Sequence, residues 1–145
     1  DHSDIITFWI PLVDATGKNG CMEVMPEAWR LGQLDHMAAG GTTIVPEQMP
    51  TLPPLLAPCK KGGIVLMNKF TPHRGTDNTS DGIRWTLDLR YQPTGQPTGR
   101  PSHPHFVTRS RSNPAAVLTD HARWCQMWLD GLEAGKGKAM HRLVR

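Results

Sequence analysis

The sequence predicts a mainly β protein, a jelly-roll type sandwich with one covering helix at its C-terminal end. Three observations carry this. Short runs rich in β-branched and aromatic residues alternate with turn residues, as in antiparallel sheets. The chain of 145 residues holds 14 glycines and 13 prolines without a collagen-like period, which suits many short strands and turns. Clear helical periodicity is confined to the last third.

The elements follow in order. "DIITFWIPLVD" (Asp4 to Asp14) reads as a strand, and Asn19-Gly20 after it reads as a hairpin turn. "CMEVMP" is the expected returning strand, and "EAWRLGQLDHM" one or two helical turns. "GGTTIV" is at most a short strand. Five prolines between Pro46 and Pro58 leave no room for a central strand or helix, so that stretch reads as an ordered loop.

"IVLMNKF" (Ile64 to Phe70) and "IRWTLDLRY" (Ile83 to Tyr91) are strands. In the second, Ile83, Trp85, Leu87, Leu89 and Tyr91 share one face, which wants a packed core. Arg84, Thr86, Asp88 and Arg90 share the other, which wants a polar cavity or water. A turn-rich linker, "QPTGQPTGRPSHPH", leads to Asn113-Pro114, read as an N-cap and first helical position. Leu118, Ala122, Cys125, Leu129 and Leu132 then repeat at helical spacing, widened by Trp124 and Trp128. The division expected is a partial β core over 1–112, a covering helix over 113–134 and a basic tail over 135–145.

Composition narrows the function. An apolar fraction of 38% suits one domain with a core. The net charge of +3 is concentrated in the tail "GKGKAMHRLVR", so no nucleic-acid surface is expected. No apolar run is long enough to span a bilayer, so no membrane partner is expected. Cys21, Cys59 and Cys125 are odd in number and widely spaced, which supports neither a disulfide framework nor a zinc site. A reducing cytoplasm is the default location. Met22, Met25 and Met67 read as core filler.

Two residues stand out for chemistry. His73 follows a strand-like run and is either a surface loop histidine or a metal ligand or proton carrier. Arg84 is either a solvated edge residue or a clamp whose planar fork matches a carboxylate with two parallel hydrogen bonds. His103 and His105 have ligand-like spacing in a proline-rich linker and read as structural or solvated, as do His36, His121 and His141, which have no partners in sequence.

"FWIPLVDATGKNGCMEVMP" followed by "GGIVLMNKFTPHRGTDNTSDGIRWTLDLRYQP" resembles the phytanoyl-CoA dioxygenase family of Fe(II)- and 2-oxoglutarate-dependent oxygenases. The resemblance rests on Trp9, Asn19-Gly20, Pro26, Gly63, His73, Asn78 and Arg84 in that order, and covers Asp4 to Pro93. It implies a double-stranded β-helix and a triad of two histidines and a carboxylate holding iron. It implies His73 as the second histidine ligand, Arg84 as the residue binding the far carboxylate of 2-oxoglutarate, and Trp9 as a wall of the cosubstrate pocket. It also implies hydroxylation of a small organic substrate.

Two places depart from the family pattern. Gly75 stands where a small hydroxyl residue is usual, with Thr76 one later, and Glu27-Ala28-Trp29 replaces a Gly-Ser-His. "HSD" (His2 to Asp4) has the form of the missing His-x-Asp. It lies close to Trp9, and on a continuous strand His2 and Asp4 take the face opposite Trp9 unless a bulge intervenes. The expected reading is the C-terminal portion of a longer oxygenase, partnered by its own N-terminal part with the true His-x-Asp upstream of residue 1. The rival reading is a non-catalytic jelly-roll binding or structural domain.

Overall fold

The computed structural model describes residues 3–39, 41–98 and 102–138. These fall into two compact units, Ile5–Tyr91 and a second made of residues 3–4 and 92–138.

Among the described residues the first unit holds eight strands: β1 (Ile6–Pro11), β2 (Met22–Val24), β3 (His36–Ala38), β4 (Thr42–Ile44), β5 (Leu55–Ala57), β6 (Val65–Asn68), β7 (His73–Gly75) and β8 (Thr86–Tyr91). All pairings are antiparallel and give sheets ordered β6-β1-β8, β5-β2-β7 and β3-β4. Trp9, Ala15, Cys21, Met22 and Met67 form one buried cluster with Val24, Ala57, Cys59 and Val65 packed against it. Because β1 and β6 give Trp9 and Met67 while β2 gives Met22, the two three-stranded sheets share this core face to face. This is the mainly β, antiparallel architecture that the turn-and-strand pattern predicts.

Several elements differ from expectation. Asn19-Gly20 does not close a hairpin, since β1 and β2 lie in different sheets. It is a corner between them. Only Gly20 takes positive φ, at 85°, and the Asn19 side chain is spent locally. Its Oδ1 accepts from the Thr16 N–H at 2.7 Å and its Nδ2 donates to the Asp14 carbonyl at 2.7 Å. The expected helical turns are a 3-10 helix over Pro26–Leu31, and His36 opens a small hairpin with Thr42–Ile44 instead of ending a helix. The proline-rich loop contains β5, which among the described residues pairs with β2 alone; an edge position tolerates the flanking Pro54 and Pro58. His73 begins strand β7 rather than a loop.

Parity in β8 is as expected, but burial is not. Leu87, Leu89 and Tyr91 lie in register with Ile10, Phe8 and Ile6 of β1, and Phe8 and Ile6 with Leu66 and Asn68 of β6. That face is open rather than packed: Ile83 is 71% exposed, Trp85 61% and Leu66 60%. The core lies on the opposite face of the same sheet, where Trp9 and Met67 point.

At the far side of the corner, β-bridge Ala15–Cys59 is reinforced by an ion pair. Lys60 Nζ donates to Asp14 Oδ2 at 2.8 Å and the Lys61 N–H to Oδ1 at 2.9 Å. The lysine ammonium first, and then the backbone donor, hold the Asp14 carboxyl below its ordinary value of 3.8.

In the second unit, α1 spans His121–Gly135. Asp120, not Asn113, is its N-cap, accepting from the Arg123 N–H at 3.0 Å; Asn113-Pro114 instead opens a separate 3-10 turn over Pro114–Ala116. Gly131 lets the helix approach the chain closely, since a side-chain carbon there would meet the Ser102 carbonyl oxygen at 2.5 Å. Among the described residues no helix is long and apolar enough to cross a membrane. The expected basic tail and His141 lie largely or wholly outside the described residues.

Candidate functional site

Strand β7 sets the first wall. Its residues pair with β2 as Val24 with His73, Glu23 with Arg74 and Met22 with Gly75. Arg74 and Glu23 form an ion pair on one face. His73 and Gly75 therefore project from the other, the face on which Met22 joins the core. The His73 imidazole hydrogen-bonds the Thr71 carbonyl through Nδ1 at 2.8 Å. A carbonyl only accepts, so Nδ1 carries the hydrogen in the neutral ring, and the Nε2 lone pair is left to face outward. This is the arrangement that suits an imidazole ligand to a metal.

The second wall is the approach to β8. Arg84 continues the face of Thr86, Asp88 and Arg90, which pair in register across from Pro11, Trp9 and Thr7 of β1. Its guanidinium carbon sits over the Trp9 ring, 5.4 Å from the centroid. Two glycines line its position. A side-chain carbon at Gly75 would stand 3.6 Å from Arg84 Nη2, and one at Gly20 would stand 3.7 Å from Arg84 Nε. Among the described residues the guanidinium makes no hydrogen bond or ion pair. Arg84 is thus a half-buried, planar cation with its donors uncommitted, held by a flat indole and two bare backbones.

The loop between the walls is clipped to the β1–β2 corner. Thr76 donates from both its N–H and its hydroxyl to the Cys21 carbonyl, at 3.0 Å each, and Thr79 donates to the Lys18 carbonyl at 2.8 Å through N–H. Asn78 bridges Asn19 and folds its own loop, donating to the Gly82 carbonyl at 2.8 Å and accepting from the Ser80 hydroxyl at 2.7 Å. The Thr76 hydroxyl therefore spends its hydrogen on the Cys21 carbonyl.

Sequence reasoning singled out Trp9, His73 and Arg84. Arg84 stacks on Trp9, and Gly75, two residues along β7 from His73, abuts Arg84. It missed the roles of Gly20, Thr71 and Thr76. The positive-φ habit of glycine after asparagine was the available signal for Gly20; carbonyl partners such as Thr71 leave no mark in sequence. Asp4 belongs to the other unit, where its carboxylate accepts from Gln96 Nε2 at 3.0 Å and its N–H donates to Gln96 Oε1 at 2.7 Å. His2 lies outside the described residues. Among the described residues no three His, Cys, Asp or Glu side chains come together as a metal site.

Comparison with known proteins bears on this geometry. The family model for phytanoyl-CoA dioxygenase (PhyH) matches residues 1–86. The chain is 24% identical over 110 residues to a 1-deoxypentalenic acid 11-beta-hydroxylase from Streptomyces arenae, covering 68% of this chain and 39% of that protein. The crystal structure of EvdO2 from Micromonospora carbonacea var. aurantiaca superposes with a TM-score of 0.54 at 22% identity, over 68% of this chain and 43% of that one. The chain thus spans about two-fifths of the length of these relatives. With a family match running from the first residues through β7 and Arg84 to the start of β8, and a like fold in a solved structure, this chain belongs to the phytanoyl-CoA dioxygenase family.

Proposed function

We propose that the chain is part of an Fe(II)- and 2-oxoglutarate-dependent oxygenase that hydroxylates a small organic molecule. The observation that carries this is Arg84: an uncommitted guanidinium stacked on Trp9, walled by Gly20 and Gly75. A dicarboxylate is the natural occupant. Its far carboxylate would take two parallel N–H donors from Arg84, which rests over the buried Trp9 ring.

His73 is the metal ligand on this side, through Nε2. Iron in such a site needs three protein ligands, and the described residues offer this one. We assign the other two to a His-x-Asp in a part of the protein upstream of Asp1, in preference to His2 and Asp4. When bound, the iron would supply oxygen activation and oxidation of a C–H bond. What this chain itself contributes is orientation: a fixed imidazole tautomer at one end of the cosubstrate and a rigid cationic fork at the other.

Titration of 2-oxoglutarate into wild type, Arg84→Ala and Arg84→Lys tests the reading. A hydrogen-bonded charge contributes about 1.5–3 kcal/mol, so Arg84→Ala should weaken binding about 10- to 150-fold. Arg84→Lys should recover only part, because an ammonium lacks the paired fork. Equal affinity in all three would leave a non-catalytic jelly-roll domain as the better reading.

A further inference from the structure

We propose that Asn68 is a positioning residue for His73: it fixes the Thr71 carbonyl, and through that carbonyl the tautomer of the imidazole. Its place in the chemistry rests on the reading of His73 as the metal ligand. Asn68 ends β6, in register with Ile6 of β1. Leu66, two residues earlier, lies on the open apolar face, and alternation puts the exposed Asn68 on that face too. An amide there adds no apolar contact. Its use is in the turn that follows. Asn68 Oδ1 accepts from the Phe70 N–H at 2.9 Å and from the Thr71 hydroxyl at 3.0 Å, and the Asn68 carbonyl accepts from the Thr71 N–H at 3.3 Å. These bonds close the turn by which the chain leaves the β6-β1-β8 sheet for the β5-β2-β7 sheet.

The far end of the turn is held as well. Pro72 keeps Thr71 away from helical backbone, and the Pro72 carbonyl accepts from the Met25 N–H at 3.0 Å, just past β2. The Thr71 carbonyl lies between these two anchors, and His73 Nδ1 meets it at 2.8 Å. His73 is exposed. An imidazole in water favours hydrogen at Nε2, the nitrogen that a metal here would need bare. A carbonyl aimed at Nδ1 reverses that choice, and only while it stays aimed. Asn68 is the side chain that holds the residue carrying it. Both of its side-chain bonds use Oδ1, and among the described residues Nδ2 donates to nothing. The acceptor oxygen is therefore the working group, and aspartate retains it while alanine loses it.

The test compares wild type, Asn68→Ala and Asn68→Asp in the 145-residue chain. Long-range proton–nitrogen NMR, at a pH where the ring is neutral, gives the His73 tautomer ratio, and the backbone amide spectrum reports whether each variant is folded. Wild type and Asn68→Asp should hold hydrogen at Nδ1. In Asn68→Ala the ratio of the Nδ1–H to the Nε2–H form should fall about two- to tenfold, the reach of one net hydrogen bond. An unchanged ratio in Asn68→Ala, or an equal fall in Asn68→Asp, would overturn the role of Asn68. Thr71→Val removes one donor to Oδ1 and keeps the carbonyl. It should move the ratio in the same direction, and it decides the matter if Asn68→Ala does not fold. Anaerobic Fe(II), added to each chain, separates this role from the reading of His73 as a ligand. Broadening of His73 in wild type with equal tautomer ratios in all chains would keep the ligand and remove Asn68. A shifted ratio in Asn68→Ala with no broadening of His73 in wild type would keep Asn68 as the tautomer's determinant and remove the ligand. Where both hold, Asn68→Ala should need about two- to tenfold more Fe(II) for the same broadening.

Discussion

His73 is the residue at which chemistry and local structure meet most closely. Its bond to the Thr71 carbonyl at 2.8 Å fixes which nitrogen is free. Long-range proton–nitrogen NMR of the neutral ring should therefore show a protonated Nδ1 and an unprotonated Nε2. Added Fe(II) should broaden the Nε2 resonance first, and His73→Ala should abolish that response while leaving the amide spectrum of the sheets in place. A mixture of tautomers, or broadening centred elsewhere, would remove His73 from the metal site. Asp14 gives a second test at this scale. Its carboxyl is held low by Lys60 and the Lys61 N–H, and Lys60 is in turn held above its ordinary 10.5 by Asp14. A lowered acid gives stability that is fully present above its unfolded value and is lost as pH falls through the lowered folded value. A raised base gives stability present below 10.5 and lost as pH rises through its folded value. Both groups are exposed, so the effect is small and salt-sensitive. Carboxyl NMR should place the Asp14 midpoint below 3.8 in wild type and move it up in Lys60→Met. At this scale the sequence disclosed residue types and not their partners. Arginine and tryptophan announce a fork and a flat surface, whereas the Thr71 carbonyl and the bare backbones at Gly20 and Gly75 become visible only when distant segments meet.

Among the elements, the β1–β2 corner decides how well the site is built. Gly20 has φ 85°, and a side-chain carbon there would be 2.7 Å from the Thr76 carbonyl and 3.7 Å from Arg84 Nε. Gly62 has a similar φ of 77° with nothing within 4 Å. Left-handed backbone costs a residue with a side chain about 1–3 kcal/mol. Gly62→Ala should cost only that. Gly20→Ala should cost more, because the contact with backbone cannot relax, and it should also weaken 2-oxoglutarate binding by displacing the guanidinium. Thermal melts and titrations of the two variants check this, and equal losses of stability would show that the corner is not tight. Strand alternation made β8 legible, because parity is a property of the strand alone. The corner was mistaken for a hairpin since an Asn-Gly turn looks alike whether the next strand pairs within the sheet or crosses to another. Edge strand β5 was hidden because proline density argues against strands in general, while one pairing edge is enough for three residues.

For the whole molecule, the open face of the β6-β1-β8 sheet dominates behaviour in solution. Ile6, Leu66, Leu87, Leu89 and Tyr91 are all substantially exposed and lie in cross-strand register. Contiguous apolar surface of this kind promotes association. Light scattering of the 145-residue chain should show concentration-dependent self-association, reduced in the double variant Leu66→Lys/Leu89→Lys with the amide spectrum of the core retained. A wild-type chain monomeric at high concentration would contradict this. Fold class was legible from turn spacing and strand composition, which are local. Which sheet face is covered was not, since burial depends on what lies opposite, and apolar alternation alone is silent about that.

The order of pairing in that sheet also governs when it can form. β1 is its central strand, and its two neighbours come from far along the chain: Ile6 pairs with Asn68 on one side and Tyr91 on the other. Loop closure over such separations is entropically costly, so native pairing of this kind is slow compared with helical folding. During synthesis, "ITFWIP" leaves the ribosome long before either neighbour exists, and it is a β-prone run without a charge. The nascent protein therefore has a vulnerable interval, from emergence of β1 to completion of Tyr91, in which this uncharged, β-prone strand has no partner. Chaperone occupancy should be greatest in that interval and fall once β8 has cleared the tunnel.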